Sequence, residues 1–269
     1  MLWSLLLLPV LLYLLICGIL FFAQNAMIFP TGQVGPSGPL PVTAERLTLA
    51  AASGERLVGL HIPHDRAGAV RTLILGFGGN ASNADGTAAM LHQLYPDADV
   101  VAFHYRGYPP SEGRPGAAAL QEDALVIHDA MRARLRPVRL VAAGFSVGSG
   151  AAAFLAGHRP LDGLILVTPF DSLTSVSAGH YPWAPVRLLF RNPLDPAMDL
   201  RGVRTPVAIL AGGRDTLVVP ARTQALRSAI PNLVFDRTIP AAGHNDIYVD
   251  PAFAPAMRQA FEEVLTARR

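Results

Sequence analysis

The stretch Gly144-Phe145-Ser146-Val147-Gly148 has the pattern G-x-S-x-G, and its neighbours on both sides give the pattern a structural meaning. Residues 138–143, Val-Arg-Leu-Val-Ala-Ala, are mostly apolar and predict a buried strand. Residues 149–156, Ser-Gly-Ala-Ala-Ala-Phe-Leu-Ala, favour a helix. A serine between such a strand and helix sits on a sharp turn that needs small residues two positions before and after it. We therefore predict that Ser146 is a nucleophile held at the positive end of a helix.

Length and composition limit the class of protein. The chain has 269 residues, of which 51% are hydrophobic, so one large domain with a full core can follow a short N-terminal segment. The net charge of +2 is too small to indicate nucleic-acid binding. The single cysteine, Cys17, permits neither an intramolecular disulfide nor a cysteine-rich zinc site. We expect no metal.

The N-terminal segment is apolar and uncharged. Residues 2–23 would span roughly 33 Å as a helix, enough to cross a bilayer. A cleaved signal peptide needs a small-x-small site, which residues 23–26 do not supply cleanly, and a lipoprotein needs a small residue before Cys17, where Ile16 is bulky. A single-pass anchor over residues 1–23 is therefore preferred. We expect the catalytic domain on the outer side of the membrane, although Arg46 is the first basic residue that the positive-inside rule can count.

The rest of the chain alternates strand and helix patterns. Residues 24–41 are predicted to be a linker, because 33–41 are rich in glycine and proline, and residues 42–269 the catalytic domain. After a hairpin over 45–62, strands alternate with helices, which predicts a mostly parallel sheet with helices on both faces. Residues 172–204 interrupt this alternation with several prolines. They form either a short lid over the active site or a surface connection.

Two polar residues that follow predicted strands complete a catalytic set with Ser146. Asp215 follows the strand over 206–212 and a glycine turn, and His244 follows the last predicted strand, 233–239. Ligand sites in open parallel sheets lie beyond the carboxyl ends of the strands. A serine hydroxyl needs an imidazole to take its proton and a carboxylate to orient that imidazole. Each residue alone is commonplace in a loop or turn, and Asp171 is a rival acid, but the order serine, aspartate, histidine at successive strand ends indicates a triad.

An oxyanion hole needs two backbone N–H groups directed at the developing negative charge. One is expected from Val147, immediately after the nucleophile. The other is assigned to Asn80, in the glycine-containing loop over 76–83 that follows the third strand. A phosphate-binding role for that loop is disfavoured, because neither G-x-x-x-x-G-K-[ST] nor G-x-G-x-x-G occurs.

Together these motifs resemble the serine-aminopeptidase-like branch of the α/β-hydrolase superfamily, and within it the membrane-anchored hydrolases related to protein depalmitoylases. Beyond the serine, aspartate and histidine motifs, the resemblance covers an anchor followed by Gln24 and Ile28-Phe29-Pro30, the loop over 79–83, the run Tyr105-Arg106-Gly107-Tyr108, and His180-Tyr181-Pro182-Trp183. The chain departs from the family at Gly78, where a histidine is usual. The resemblance implies the α/β-hydrolase fold and hydrolysis of a carboxylic ester, thioester or small amide without a cofactor.

Several residues admit two interpretations. Phe77, Tyr105 and Trp183 either line an acyl pocket or belong to the core. Arg106 either binds a substrate carboxylate or, as we prefer, ties its loop to the domain.

The leading function is a membrane-anchored serine hydrolase that cleaves a carboxylic ester or thioester of a small-molecule or acylated substrate through an acyl-enzyme intermediate. The alternatives are an aminopeptidase-like serine peptidase, with Glu112 holding the substrate amine, and a non-catalytic binding protein on the same fold.

Overall fold

A computed structural model of the chain describes residues 2–64 and 71–267, with side chains from residue 7 onwards. Its centre is a sheet with the strand order β1-β2-β4-β3-β5-β6-β7-β8. β2 is antiparallel to both of its neighbours, and the pairs from β4 to β8 are parallel. The strands are β1 Glu45–Ala50, β2 Arg56–Ile62, β3 Thr72–Phe77, β4 Asp99–Phe103, β5 Arg139–Phe145, β6 Gly163–Val167, β7 Val207–Gly212 and β8 Leu233–Ile239.

Helices cover both faces of the sheet, as predicted. In the described part of the chain they are α1 Leu2–Ile28, α2 Ala84–Leu94, α3 Ala117–Leu135, α4 Val147–His158, α5 Leu173–His180, α6 Val186–Leu189, α7 Pro196–Asp199, α8 Pro220–Arg227 and α9 Phe253–Thr266. The strands predicted over 138–143, 206–212 and 233–239 and the helix predicted over 149–156 agree with β5, β7, β8 and α4 to within two residues at each end. The predicted α/β-hydrolase architecture is therefore confirmed, apart from residues 65–70 and 268–269 of the predicted domain, which lie outside the described residues.

The core consists of two apolar clusters, one on each face of the sheet. Successive side chains of a strand point to opposite faces. Along β3, Leu73, Leu75 and Phe77 accordingly join the cluster that contains α3 and α4, whereas Ile74 joins the cluster that contains α2 and α9. This alternation buries both faces of the central strands.

The N-terminal helix is long and apolar enough to cross a membrane by length and composition. Within the stretch Leu7–Gln33, the most apolar 18-residue window has a mean hydropathy of 2.4, and only 6% of that window is buried against the rest of the protein. The helix ends at Ile28, five residues beyond the predicted end of the anchor at 23, so the predicted linker over 24–41 begins inside a helix.

The end of α1 is attached to the domain by polar and apolar contacts. Gln24 donates from Nε2 to the carbonyl of Leu189 (3.1 Å) and accepts from the amide of Arg191 (2.7 Å). Asn25 donates to the carbonyl of Pro115 at 2.9 Å. Phe29, which is only 2% exposed, lies in the α3/α4 cluster. The start of the predicted linker is therefore part of the folded domain.

Residues 172–204, the predicted lid, contain the short helices α5, α6 and α7. α5 and α6 pack on each other, and α7 packs on α4. The segment contacts α1 through Trp183, Leu189 and Arg191.

Candidate active site

The turn at Ser146 has the geometry of a nucleophile elbow. Ser146 has φ 50° and ψ −118°, outside the regions that L-residues ordinarily occupy, and it joins β5 to α4. Gly148 has no space for a side chain, because an added Cβ atom would lie 2.1 Å from the carbonyl oxygen of Phe77. At Gly144 an added Cβ atom would lie 2.6 Å from the carbonyl oxygen of Gly148. The two glycines of the motif are therefore required by close contacts within and beside the turn.

Three side chains from three strand ends form a continuous hydrogen-bonded chain. His244 Nε2 lies 2.8 Å from Ser146 Oγ, and His244 Nδ1 lies 2.7 Å from Asp215 Oδ2. The other carboxylate oxygen, Asp215 Oδ1, accepts from the amides of Leu217 (2.9 Å) and Val218 (2.7 Å). Because the carboxylate can only accept, Nδ1 carries a proton and Nε2 is left to accept the serine hydroxyl. The predicted triad residues are thus brought together in the order needed for general-base activation of Ser146.

The loop that was predicted to supply an oxyanion donor lies beside the elbow. A Cβ atom added at Gly79 would lie 3.8 Å from Ser146 Cβ. Val147 is the first residue of α4, so its amide has no partner within the helix. Asn80 and Ser146 line the same cleft. The two amides predicted for an oxyanion hole therefore belong to segments that meet next to the nucleophile.

Three successive carbonyl groups of this loop are held by hydrogen bonds. The Tyr105 hydroxyl donates to the carbonyl of Gly78 at 2.6 Å, the Ser82 amide donates to Gly79 at 3.2 Å, and the Tyr108 hydroxyl donates to Asn80. Burial raises the pKa of both tyrosines above its ordinary value, so their hydroxyls remain protonated donors. The carbonyl and N–H of one trans peptide point in opposite directions. The bond from Ser82 therefore turns the Asn80 amide away from Ser82.

A second network holds the helix that follows the loop. Asn83 caps α2 by accepting from the amide of Asp85 at 2.9 Å. The buried Asp85 carboxylate accepts from Arg46 at 2.5 and 2.7 Å and also from Ser37. Burial alone would raise the pKa of Asp85, but hydrogen bonds from His104, Arg46 and Ser37 outweigh it and lower that pKa well below its usual value. The network joins the predicted linker, β1 and α2 behind the loop.

The cleft beside Ser146 has a volume of about 620 Å³ and includes residues that the sequence did not single out. Leu217 and Tyr248 lie two and four residues after Asp215 and His244, so proximity to the triad was a usable signal. Burial raises the pKa of Tyr248. Gln33 and Met90 come from the linker and from α2, and no sequence pattern marks them. None of the residues that line this cleft comes from 172–204.

The three residues predicted to bind substrate are not among those that line the cleft. Phe77 is 3% exposed and lies in the α3/α4 cluster, because the pleat of β3 directs it there. The Tyr105 hydroxyl donates a hydrogen bond to the carbonyl of Gly78. Trp183 packs edge-on against Tyr13 of α1, with ring centres 6.3 Å apart. In the structure, therefore, none of the three side chains lines this cleft, and Phe77 has the core position that was its alternative interpretation.

Other charged candidates are engaged elsewhere. Arg106 is buried and pairs with Asp123 and Glu122, each at 2.8 Å, which is the structural role preferred from the sequence. Asp171 pairs with Arg222 at 3.2 Å and is not the partner of His244. Glu112 pairs with Arg56 at 3.1 Å on the surface. Among the described residues, no group of three or more His, Cys, Asp or Glu side chains is placed to hold a metal ion.

Sequence comparison identifies relatives over most of the chain. No protein-family model matches. The uncharacterised protein Rv2307c of Mycobacterium tuberculosis is 32% identical over 228 residues, which are 83% of this chain and 80% of that protein. The uncharacterised membrane protein YNL320W of Saccharomyces cerevisiae is 25% identical over 89% of each chain. The lysophosphatidylserine lipase ABHD12 of Danio rerio is 30% identical over 137 residues, which are 44% of this chain and 36% of that protein.

Solved structures share the fold at lower sequence identity. The Pyrococcus furiosus esterase Pf2001 aligns with a TM-score of 0.65 and 18% identity, over 86% of this chain and 99% of that one. An α/β serine hydrolase of Xanthomonas campestris, XC6422, aligns with a TM-score of 0.59 and 19% identity, over 86% of this chain and 98% of that one. With the strand order described above, these similarities show that the chain has the α/β-hydrolase fold, and its relationship to Rv2307c shows that the two proteins belong to the same family.

Proposed function

We propose that this protein is a serine hydrolase that cleaves a carboxylic ester or thioester through an acyl-enzyme intermediate. The observation that carries the proposal is the unbroken chain of hydrogen bonds from Ser146 through His244 to Asp215. A binding protein on the same fold has no need for a serine aligned on the free nitrogen of an oriented imidazole. That alignment is costly, because Ser146 has an unfavourable backbone conformation.

The proposed reaction uses side chains and two backbone amides. As Ser146 Oγ attacks the carbonyl carbon, His244 Nε2 takes its proton, and Asp215 stabilises the resulting imidazolium. The amides of Val147 and Asn80 stabilise the oxyanion. Collapse of the tetrahedral intermediate expels the alcohol or thiol, which His244 protonates, and leaves an acyl group on Ser146. Water, deprotonated by His244, then releases the acid and restores the serine.

Ester or thioester cleavage is preferred over aminopeptidase activity. An aminopeptidase needs a carboxylate in the cleft for the free amine of its substrate. Glu112, the residue considered for that role, pairs with Arg56 and does not line the cleft. The relative ABHD12, described as a lysophosphatidylserine lipase, supports an acyl ester as the substrate class.

We also propose that α1 is a retained membrane anchor and that the domain lies on the outer side of the membrane. The contacts of Gln24 and Asn25 support retention, because cleavage after Ala26 would remove both side chains and their hydrogen bonds to the domain. The yeast relative described as a membrane protein agrees with attachment. Protease accessibility of the domain in intact and in permeabilised cells tests the orientation.

A fluorophosphonate probe, which reacts with activated serines, tests the proposed activity. The folded wild-type protein should be labelled and should hydrolyse p-nitrophenyl esters. Ser146→Ala should abolish labelling and lower kcat by roughly 10⁶. Ser228→Ala, which changes an exposed serine at the end of α8, is the matched control and should behave as wild type. A folded wild-type protein that resists the probe would contradict the proposal.

A further inference from the structure

One face of α1 stays apolar and exposed along most of the helix. Leu8, Leu12, Leu15, Ile19 and Phe22 recur every three or four residues, so they form a single stripe, and each of them is more than half exposed. In the anchor proposed above, this stripe faces the hydrocarbon chains of the lipid. The hydrocarbon layer therefore reaches along α1 at least as far as Phe22.

Residues 181–191 lie beside the same part of α1, on the opposite side of the helix from the stripe. The Tyr13 hydroxyl donates to the Trp183 carbonyl at 3.2 Å, and the Arg191 guanidinium lies 5.1 Å from the centre of the Phe21 ring. These contacts are spread over roughly 12 Å along the helix. When lipid covers the stripe, residues 181–191 are therefore at the same depth on the other side of α1.

The composition of residues 181–191 suits the boundary between lipid and water. Their sequence is Tyr-Pro-Trp-Ala-Pro-Val-Arg-Leu-Leu-Phe-Arg, with two arginines and no acidic residue. Trp183 is 49% exposed and Leu188 83% exposed, and both arginines are exposed as well. Tryptophan is enriched at this boundary, and basic side chains are attracted to anionic lipid there. Because arginine is costly in the middle of the hydrocarbon layer, the segment fits the interface.

The same segment begins next to the wall of the catalytic cleft. His180, the residue that precedes it, has its Nε2 atom 2.8 Å from the carbonyl oxygen of Leu217. Leu217 lines the cleft beside Ser146 and is 46% exposed. A bilayer in contact with residues 181–191 therefore lies close to this side of the cleft.

We propose that residues 181–191 insert into the interfacial region of the bilayer and give the domain a membrane contact in addition to α1. The side chains of Trp183 and Leu188 lie among the upper parts of the lipid chains, and Arg187 and Arg191 pair with lipid phosphates. This inference rests on the proposed anchor and not on the proposed chemistry. It goes beyond anchoring, because it determines which side of the domain faces the lipid.

Tryptophan fluorescence tests this assignment, because Trp3 and Trp183 are the two tryptophans of the sequence. Full-length Trp3→Phe protein is reconstituted in phosphatidylcholine vesicles that carry bromine either near the head-group end of the acyl chain or near its terminal methyl group. We expect the shallow bromine to quench Trp183 emission by about half or more, the deep bromine to quench it less, and iodide in the water to have little effect. Stronger quenching by the deep bromine or by iodide would overturn the assignment. Emission that no quencher reduces would indicate cover by another copy of the chain and would also overturn it.

A second reporter position distinguishes insertion of the segment from contact of Trp183 alone with α1. Trp3→Phe and Trp183→Phe remove both tryptophans, and Leu188→Trp or Val138→Trp then adds one at an exposed apolar position. Val138 is the matched control, because it precedes β5 at the end of the sheet opposite the cleft. The reporter at 188 should respond to shallow bromine as Trp183 does, and the reporter at 138 should respond only to iodide. Quenching of the reporter at 188 by iodide alone would show that the segment lies outside the lipid.

Vesicle flotation after an alkaline carbonate wash separates failure of this inference from failure of the proposed anchor. Trp3→Phe protein that floats with the vesicles while iodide quenches Trp183 would refute the insertion and leave the anchor in place. Protein that the wash releases would refute both. Neither measurement requires activity, so adding Ser146→Ala should leave both results unchanged, and the proposed chemistry is tested separately.

Discussion

The oxyanion loop shows how single hydroxyl groups shape a site that they do not line. Tyr105 and Tyr108 each donate to a carbonyl of the loop, and their rings pack edge to face with centres 5.6 Å apart. They act through the loop and are positioning residues. If either tyrosine hydroxyl is removed, the peptide groups around Gly79 can rotate more freely. The Asn80 amide is then less well aligned toward the proposed oxyanion position.

We predict that Tyr105→Phe lowers kcat for a short p-nitrophenyl ester by about tenfold and changes KM by less than about twofold. This loss is smaller than the roughly 10²–10³ expected for losing an oxyanion donor, because the amide itself remains. Tyr95→Phe is the control, since it removes a buried hydroxyl that donates to the Met257 carbonyl at 2.7 Å, remote from the loop. A parallel fall in kcat for both variants would indicate general destabilisation and not positioning.

Asp199 and Asp85 should make the free energy of unfolding depend on pH in opposite directions. Burial raises the pKa of Asp199 to about 6. Because this folded-state pKa exceeds the unfolded value near 4, its contribution to stability is complete below about pH 4 and is lost as pH rises to about 6. Asp199→Asn should therefore increase the free energy of unfolding at pH 8 by about 1–2 kcal/mol and have little effect near pH 4. Urea denaturation of the wild type and the variant at both pH values measures these changes in the free energy of unfolding.

Asp85→Asn provides the opposite comparison. The lowered pKa of Asp85 contributes stability above the unfolded pKa near 4, which is lost as pH falls. Asp85→Asn should therefore destabilise the protein at pH 8, and the loss should shrink at acidic pH. An Asp199→Asn variant that also loses stability at pH 8 would contradict the sign argued for burial.

At the scale of elements, the elbow depends on how closely α4 and the end of β3 approach each other. The carbonyl oxygens of Phe77 and Gly78 would lie 2.1 and 2.4 Å from a Cβ atom at Gly148. Since both are backbone atoms, no side-chain rotation relieves the contact. Any side chain at Gly148 must displace the loop that carries the proposed oxyanion donor.

We predict that Gly148→Ala lowers the free energy of unfolding by about 3 kcal/mol or more, or prevents folding. Gly179→Ala in α5 is the matched control, because no atom lies within 4 Å of its added Cβ atom. That substitution should be neutral or slightly stabilising. Thermal unfolding of both variants tests this prediction. Equal melting temperatures would show that the end of β3 can move away from residue 148 at little cost in free energy.

Much of the architecture and the catalytic set could be predicted because both depend on strand ends. Alternating strand and helix patterns fix which residues leave a strand at its carboxyl end, and Ser146, Asp215 and His244 share that position. Side-chain direction around the cleft could not be predicted in the same way. Trp183 lies in a proline-rich segment without periodicity, and Gln33 reaches the cleft only because the chain folds back after α1.

For the whole molecule, the attachment of α1 determines whether the domain and its N-terminal helix form one unit. Gln24 joins them through both the NH2 group and the oxygen of its side-chain amide. A leucine there keeps the apolar character of the helix but leaves the Leu189 carbonyl and the Arg191 amide without this partner. The bond to Leu189 is partly buried and the bond to Arg191 is exposed, so losing both costs about 1 kcal/mol.

We therefore predict that Gln24→Leu lowers the melting temperature of the full-length protein in micelles and increases cleavage between 180 and 195 during limited proteolysis. Gln224→Leu, the same change at an exposed position of α8, should do neither. Unchanged stability and cleavage in Gln24→Leu would show that α1 is only loosely attached.

Helix α4 has a consequence for how this protein can diversify. Ala151, Ala152 and Ala153 are completely buried, so a larger residue at any of them would displace an element packed on α4, such as the sheet, α3 or α7. Related proteins that act on different compounds must therefore acquire those differences elsewhere. The segment 172–204 and the membrane-side residues of α1 are freer to vary. New specificities within the family should therefore arise there, while the side chains of α4 behind Ser146 remain small.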